Sequence, residues 1–334
     1  MSHPTPITPV QRHSLTNRLT KLLGEENVVT DSESQRPFEC DALTIYRGLP
    51  LLVALPETVE QVKSILAICH SMDVPVVARG AGTGLTAGSM PHPEGVLLGL
   101  SKLDQILEID PVARTARVQP GVSNLAISDA ASAYALHYAP DPSSQVACSI
   151  GGNVASNSGG VHCLKYGLTV HNLLAMTALT VEGEELKLGG LGLDSPGFDL
   201  MALLTGSEGL LAVVTEITVR LLPVPPKARV VLAGFDSVRT AADAVAAVIA
   251  TGIIPAGLEM MDKLAVQAAE GFCQPGYPLE AAAILLCEVD GTEQEVDANI
   301  ATIEALLREL GASSVRVSNS EDERALIWKG RKSA

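Results

Sequence analysis

A cluster of glycines directly after an apolar run is the first feature that could do chemistry. The letters VVARGAGTGLTAG span residues 76–88, with glycine at positions 80, 82, 84 and 88. The spacing does not match the dinucleotide fingerprint G-x-G-x-x-G, no helical pattern follows, and no G-K-[ST] of a nucleotide-binding P-loop is present. What remains is a loop at the end of a strand whose free backbone N–H groups favour a bound anion such as phosphate. A plain mobile turn is the alternative.

A second polar stretch covers residues 140–167, PDPSSQVACSIGGNVASNSGGVHCLKYG. Its serines and asparagines offer hydrogen bonds, and its glycines allow close approach to a flat ligand. The stretch has too many glycines for a helix interior, so a long loop is expected. Loops of this length inside compact domains are usually functional, and a surface loop without function is the alternative.

A third stretch, TGSEGLLAVVTEITVRLLP, begins at residue 205. Glu208 stands between small residues at the entrance of a predicted strand. Taken alone, it is better interpreted as a solvated acid than as a ligand contact.

The elements that must position these stretches follow from periodicity. Residues 9–24 and 57–72 show the spacing of amphipathic helices, and 51–56 and 74–80 read as strands, which gives a β-α-β unit ahead of the first loop. After a proline-rich linker at 223–228, a strand-helix-strand-helix-strand order predicts a second, open-faced α+β domain. We therefore predict a helical segment at 1–47, a first domain at 48–225 and a second at 226–334.

Composition excludes some classes of function. Lys and Arg total 23 against 38 Asp and Glu, a net charge of −15, which argues against a nucleic-acid-binding surface. The six cysteines contain no C-x-x-C pair, as expected for a reduced, cytosolic chain without disulfides or a metal cluster. No apolar run is long enough to span a bilayer, although docking on a membrane-bound partner stays open.

Together the motifs RGAGTGLTAGS, SIGGNVASNSGG with KYG after it, and TGSEGLLAVVTEI resemble one family. It is the FAD-binding family typified by vanillyl-alcohol oxidase and p-cresol methylhydroxylase, and the likeness extends from about residue 20 to the end. Within it, the chain is most similar to the branch of glycolate oxidase FAD subunits and D-lactate and D-2-hydroxyglutarate dehydrogenases. The resemblance implies an α+β fold in which FAD lies between two subdomains, here about 48–105 and 106–225, under a cap domain.

The resemblance also assigns cofactor residues by position. The first loop would wrap the pyrophosphate with backbone N–H groups, through Arg79, Gly80, Ala81, Gly82, Thr83, Gly84, Gly88 and Ser89. The second motif would flank the isoalloxazine and the rest of the cofactor, through Pro140, Asp141, Ser149, Gly151, Gly152, Asn153, Ser156, Asn157, Gly159, Tyr166 and Gly167. Glu208, Val213 and Val214 would lie near the adenosine or ribose. Some members carry a histidine at the place of Thr83 that links covalently to flavin, so Thr83 implies FAD bound non-covalently.

The activity that the resemblance implies is oxidation of a small 2-hydroxy acid, with glycolate giving glyoxylate, by hydride transfer to flavin N5. Electrons would then pass to partner subunits, including an iron–sulfur subunit, or to a quinone chain. The alternatives are a D-lactate dehydrogenase and a non-catalytic FAD-binding subunit. In similar dehydrogenases an arginine three residues after a tryptophan binds the substrate carboxylate. Here WKGR offers Arg331 after Trp328, and a solvated arginine at a helix end is the alternative.

The metal site and histidine base of similar dehydrogenases would fall beyond Ala334. His137, His162 and His171 do not have the spacing of metal ligands, so we predict no metal site in this sequence. The last letters, EDERALIWKGRKSA, begin a helix without a closing strand. We therefore expect a chain truncated within the cap, and leave open whether this chain alone is active. The expected location is cytoplasmic, with attachment at the inner membrane through partner subunits left open.

Overall fold

The computed structural model describes residues 7–192 and 197–333. Three parts of the predicted ranges lie outside the described residues. They are residues 1–6 of the predicted helical segment, residues 193–196 of the predicted FAD-binding domain and residue 334 of the predicted second domain. The chain divides into two compact units. Residues 1–158 and 168–222 form the first unit, and residues 159–167 and 223–334 form the second.

The first unit begins with a four-stranded sheet of order β1-β2-β4-β3, in which β2 and β3 run parallel to β4 and β1 is antiparallel to β2. Its elements are α1 (Pro9–Leu23), β1 (Val28–Val29), α2 (Ser32–Gln35), β2 (Leu52–Ala54), α3 (Val59–Ser71), β3 (Val76–Arg79) and β4 (Val96–Gly99). Helix α3 starts with a capping box between Thr58 and Gln61 and buries Val62, Ile65 and Cys69, as its spacing predicts. Strand β3 ends where the first glycine-rich loop begins.

A second sheet of the first unit has the order β5-β6-β10-β8-β9, with every neighbouring pair antiparallel, and β7 pairs with β11 in a separate two-stranded sheet. The elements along this part of the chain are β5 (Ile106–Asp110), β6 (Thr115–Val118), α4 (Asn124–Ala131), β7 (Leu136–His137), α5 (Ile150–Ser156), α6 (Cys163–Tyr166, in the second unit), β8 (Leu173–Leu179), β9 (Glu185–Gly189), α7 (Leu200–Leu204), β10 (Val213–Arg220) and β11 (Leu222–Pro223). Ile127 of α4 and Ile150 of α5 pack with Ile217 of β10 in one buried cluster. This packing places α5 of the second polar stretch against β10 of the third.

The second unit is built on an antiparallel sheet of order β13-β14-β12-β15. Its remaining elements are β12 (Lys227–Phe235), α8 (Val238–Ala250), β13 (Gly257–Asp262), α9 (Lys263–Cys273), β14 (Ala283–Gly291), α10 (Glu293–Glu309), β15 (Ser314–Val317) and α11 (Glu321–Ser333). Side chains of α8 and α10 share one core with the sheet, and those of α9 and α11 share another. Strand β14 is buried along nearly its whole length because helices cover both faces.

The predicted α+β class is confirmed, but two details of the sequence analysis were wrong. The predicted order of the second unit omitted β13 and α9, which lie between α8 and β14. The stretch at 140–167 is not one long loop, because α5 and α6 form within it. The domain boundaries at 47/48 and 225/226 stay predictions.

Candidate functional site

The first glycine-rich loop leaves the carboxyl end of β3 and returns to β4 without forming a helix. Within the described residues, the backbone N–H groups of residues 81–86 make no hydrogen bond to protein. Gly82 has a φ of +72°, the left-handed region that side chains rarely adopt. A run of free N–H groups around such a residue forms a concave nest for an anion.

Arg79 supplies a positive charge beneath this loop. Its side chain is buried, with 7% of the residue exposed, and its guanidinium donates one hydrogen bond of 3.4 Å to the carbonyl of Ser89. The guanidinium lies 5.9 Å from the centre of the Phe38 ring, and none of the described carboxylates approaches it within 4.0 Å. Burial lowers the pKa of Arg79, yet arginine stays charged in proteins. A buried cation without an ion-pair partner, under a nest of N–H groups, fits a pyrophosphate.

The second motif enters the site through α5, a helix that the sequence analysis did not expect. Ser149 caps this helix, because its hydroxyl accepts a hydrogen bond of 3.3 Å from the N–H of Gly152. The amide of Asn153 accepts from Asn124 at 2.9 Å, and Asn157 ends the helix with a φ of +46°. Gly151 packs against Pro120, where a Cβ would lie 2.9 Å from the Pro120 carbonyl oxygen. Asn153, Asn157 and Gly151 therefore all serve the local structure.

Glu208 connects the third motif to the first. Its carboxylate accepts a hydrogen bond of 3.0 Å from the hydroxyl of Thr86, and its N–H donates to the carbonyl of Ala155 at 2.9 Å. The residue has a φ of +54° and is half-buried. Glu208 is therefore partly solvated and hydrogen-bonded to the glycine-rich loop, and its place near the adenosine or ribose stays a prediction.

All three motifs meet around one cavity of about 200 Å³ within the first unit. Predicted residues lining it are Gly80, Ala81, Gly82, Thr83, Gly84, Gly88, Ser89, Ser149, Gly152, Asn153, Ser156 and Glu208. A smaller cavity of about 50 Å³ shares several of these residues and adds Arg79, Gly151, Val213 and Val214. A polar floor of backbone N–H groups and hydroxyls beside apolar side chains is typical of a cofactor site.

Several predicted residues lie outside these two cavities. The carbonyl of Pro140 accepts a hydrogen bond of 3.0 Å from the side chain of Asn124. Asp141, the next residue in the sequence, is buried. Gly159, Tyr166 and Gly167 belong to the second unit, where the Tyr166 hydroxyl donates to the carboxylate of Asp290. Their assignment to the cofactor stays a prediction.

Arg331 lies on α11 in the second unit and is paired with Glu259 of β13. Its Nε and its Nη2 each lie 2.9 Å from Oε2 of Glu259. Trp328, on the same helix, donates to the buried carboxylate of Glu288. The role of Arg331 with a substrate carboxylate stays a prediction.

Asp41 is a site residue that the sequence analysis missed. It lines the larger cavity, although it belongs to the polar stretch before β2 that shows no motif. Its carboxylate accepts the N–H of Ala87 at 2.8 Å across 46 positions of sequence. No spacing rule signals a contact of this kind.

Comparison with known proteins assigns the chain to a class. The family model described as the FAD binding domain matches residues 50–189, and the model described as the C-terminal domain of FAD linked oxidases matches residues 224–334. The chain belongs to this FAD-linked oxidase family, and FAD is its cofactor. The predicted resemblance is confirmed.

Within this family, the chain is similar to proteins named as glycolate oxidase subunits and as a D-lactate dehydrogenase. The chain is 60% identical to "Glycolate oxidase subunit GlcD" of Escherichia coli K12, over 93% of this chain and 62% of that protein. It is 37% identical to the Bacillus subtilis protein of the same name, over 95% and 68%. It is 30% identical to "D-lactate dehydrogenase" of Anaerostipes hadrus, over 93% and 67%. The chain thus spans less than two thirds of the Escherichia coli relative.

The fold is shared with a solved structure of p-cresol methylhydroxylase with substrate bound. The TM-score is 0.81 at 20% identity, over 99% of this chain and 71% of that one. Across residues 7–192 and 197–333, no helix is both long enough and apolar enough to cross a membrane. The same residues contain no group of three or more His, Cys, Asp or Glu side chains arranged to hold a metal ion.

Proposed function

We propose that this chain is the FAD-binding part of an enzyme that oxidises a small 2-hydroxy acid, with glycolate as the first candidate substrate. The observation that supports it is the cavity of about 200 Å³ where the three motifs meet, together with the free N–H groups at 81–86 and the buried Arg79 beside them. A pyrophosphate held there would accept hydrogen bonds from these N–H groups and would pair with Arg79, which none of the described carboxylates approaches within 4.0 Å.

In this proposal each motif holds a different part of FAD. The loop 79–89 binds the pyrophosphate, α5 and its flanks approach the isoalloxazine, and Glu208, Val213 and Val214 lie near the adenosine or ribose. Position 83 is threonine, whose hydroxyl does not form the histidyl–flavin bond of some relatives. FAD should therefore be held non-covalently.

The reaction needs a cation for the substrate carboxylate and an acceptor for two electrons. Bound FAD would supply the acceptor, at flavin N5, for the hydride that leaves the 2-hydroxy acid as it becomes a 2-oxo acid, and the hydroxyl proton would pass to a general base. Arg331 is the proposed carboxylate-binding residue, because the planar guanidinium binds carboxylates with two parallel hydrogen bonds. Glu259 keeps that guanidinium ordered before a substrate arrives.

Glycolate is favoured over D-lactate by the higher identity to the glycolate oxidase subunit. The similarity to a D-lactate dehydrogenase makes D-lactate the second candidate. A relative named as a subunit also suggests partner proteins. We infer that electrons pass to an iron–sulfur partner subunit, and that the chain lies in the cytoplasm, where it attaches to the inner membrane through its partners.

Anaerobic flavin reduction tests the proposal directly. The purified chain is loaded with FAD and mixed with glycolate, D-lactate or L-lactate, and bleaching of the flavin absorbance is followed. Bleaching by glycolate supports the first candidate, and bleaching by D-lactate alone replaces it with the second. Bound but unreduced FAD would favour a non-catalytic FAD-binding chain, whereas absence of FAD binding would overturn the proposal. Acid precipitation of the holoprotein should release all flavin to the supernatant, and flavin that stays in the pellet would refute non-covalent binding.

A further inference from the structure

The polar stretch before β2 forms a closed turn against the glycine-rich loop. We call residues 39–48 the strap. The N–H of Gly48 donates to the carbonyl of Glu39 at 2.9 Å, which closes the strap at its base. The carboxylate of Glu39 is paired with Arg36 at 2.9 Å and with Arg47 at 2.8 Å. These contacts give the strap a fixed shape without strand or helix.

The strap holds the loop at two points. The N–H of Ala42 donates to the carbonyl of Gly84 at 3.1 Å, and the N–H of Ala87 donates to Oδ2 of Asp41 at 2.8 Å. Ala87 has a φ of +61°, a left-handed conformation that costs an alanine conformational energy. The bond to Asp41 offsets that cost and fixes the direction in which the loop returns toward β4.

Both oxygens of Asp41 act as acceptors. Oδ1 accepts the N–H of Leu43 at 3.0 Å, while Oδ2 accepts the N–H of Ala87. The residue is 4% exposed, so water does not replace a lost partner easily. An asparagine offers one acceptor oxygen and would turn its NH₂ group toward one of these two N–H donors. The geometry therefore requires a carboxylate.

We propose that Asp41 is a positioning residue for the cofactor loop. It holds residues 84–87 so that the free N–H groups of 81–86 stay arranged around one anion. The proposal rests on the proposed function, in that the loop must bind the pyrophosphate of FAD. Asp41 lies outside the matched FAD binding domain, residues 50–189, and in none of the three motifs.

The test compares Asp41→Asn with Asp110→Ala in the full chain. Asp110 is a matched control because its Oδ1 also accepts two backbone N–H groups, those of Val112 and Ala113, in the turn between β5 and β6. FAD affinity is measured by titrating apoprotein, and the pyrophosphate environment by ³¹P NMR of bound FAD. We expect Asp41→Asn to weaken FAD binding about tenfold or more and to shift the ³¹P resonances. Asp110→Ala should lower the melting temperature and leave both readouts unchanged.

Two further variants separate the possible failures. If Asp41→Asn does not fold, Asp41→Glu takes its place, since it keeps the charge but displaces both oxygens, and the same ³¹P shift is expected. Wild-type affinity and unchanged ³¹P resonances in the Asp41 variant would overturn the proposal. Gly82→Ala tests the loop itself: if it binds FAD as tightly as wild type, the assignment of the loop fails. If Gly82→Ala weakens FAD binding while Asp41→Asn does not, the role of Asp41 alone fails.

Discussion

Arg331 and Glu259 form an ion pair inside the second unit, with Nε and Nη2 of the arginine each 2.9 Å from Oε2 of the glutamate. Both of these nitrogens contact the same carboxylate oxygen of Glu259, and the third guanidinium nitrogen, Nη1, makes no contact with Glu259. A partly exposed guanidinium held in this way is ordered before any carboxylate ligand binds.

Arg331→Gln should therefore impair substrate use and leave the cofactor in place. The variant removes the charge and the fork, so we expect flavin reduction by glycolate to slow about 10- to 100-fold at equal FAD content. Lys329→Gln, on an exposed position of the same helix, is the control and should reduce at the wild-type rate. Stopped-flow absorbance measures both, and an unaffected Arg331→Gln enzyme would exclude the proposed role.

A second prediction concerns Gly82 and Gly84, which stand two positions apart in one loop. A Cβ at Gly82 would lie 2.2 Å from Nη2 of Arg79, and the residue has a φ of +72°. At Gly84 the nearest atom, Oδ2 of Asp41, would be 4.0 Å away. We expect Gly82→Ala to weaken FAD binding about tenfold, because the backbone strain at a positive φ and the clash with the Arg79 guanidinium would both displace the loop. Gly84→Ala should bind FAD with nearly the wild-type affinity. Fluorescence titration of each apoprotein with FAD measures the two affinities. Equal loss of affinity in the two variants would show that the conformation of Gly82 is not what the loop needs to bind FAD.

The chemistry-bearing loops were predictable from sequence because glycine, serine and asparagine cluster where neither a core nor a helix accounts for them. The free N–H groups at 81–86 follow from the missing helix after β3, which the spacing already indicated. Helix α5 was missed because Gly151 and Gly152 lower helix propensity. They lie in its first turn, where N–H groups have no helical partner and Ser149 caps the end.

Contacts between distant positions were not predictable. Asp41 and Ala87 are joined across 46 residues, and Thr86 and Glu208 across 122. No local periodicity encodes such pairs, since they depend on how the strands assemble. Helix α9 and strand β13 were also missed, and they follow each other directly between α8 and β14.

Gly151 and Gly152 allow a third prediction, which separates packing from cofactor contact. A Cβ at Gly151 would lie 2.7 Å from Cβ and 2.9 Å from the carbonyl oxygen of Pro120. At Gly152 the nearest atom, Oγ of Ser149, would be 3.3 Å away. Gly151→Ala should destabilise the apoprotein by about 1–3 kcal/mol, because rigid backbone must shift, and Gly152→Ala should cost less. Denaturant unfolding without FAD measures this, and a stable Gly151→Ala apoprotein that loses only FAD affinity would show that packing is not the reason for the glycine.

The last prediction concerns the pH dependence of the second unit. Glu288 of β14 is 2% exposed, and its carboxylate meets Nε2 of His162 at 3.1 Å, Nη1 of Arg324 at 2.7 Å and the indole N–H of Trp328. Burial raises the pKa of Glu288, but the hydrogen bond from His162 and the charge of Arg324 outweigh it and hold the pKa below its ordinary value of 4.5. The unfolded chain therefore takes up this proton first, and the stabilisation is lost as the pH falls below about 4.5.

Glu288→Gln should lower the melting temperature at pH 7, because the amide carries no charge for Arg324. The gap between wild type and variant should narrow as the pH is lowered below about 4.5, since Glu288 is protonated in the unfolded wild-type chain before it is protonated in the folded one. Scanning calorimetry across this range measures the gap. Glu304→Gln is the control, because Glu304 pairs with Arg308 at the surface of α10 and should change the melting temperature little at any pH. A gap of constant size would mean that Glu288 stabilises the unit by packing and not through its charge.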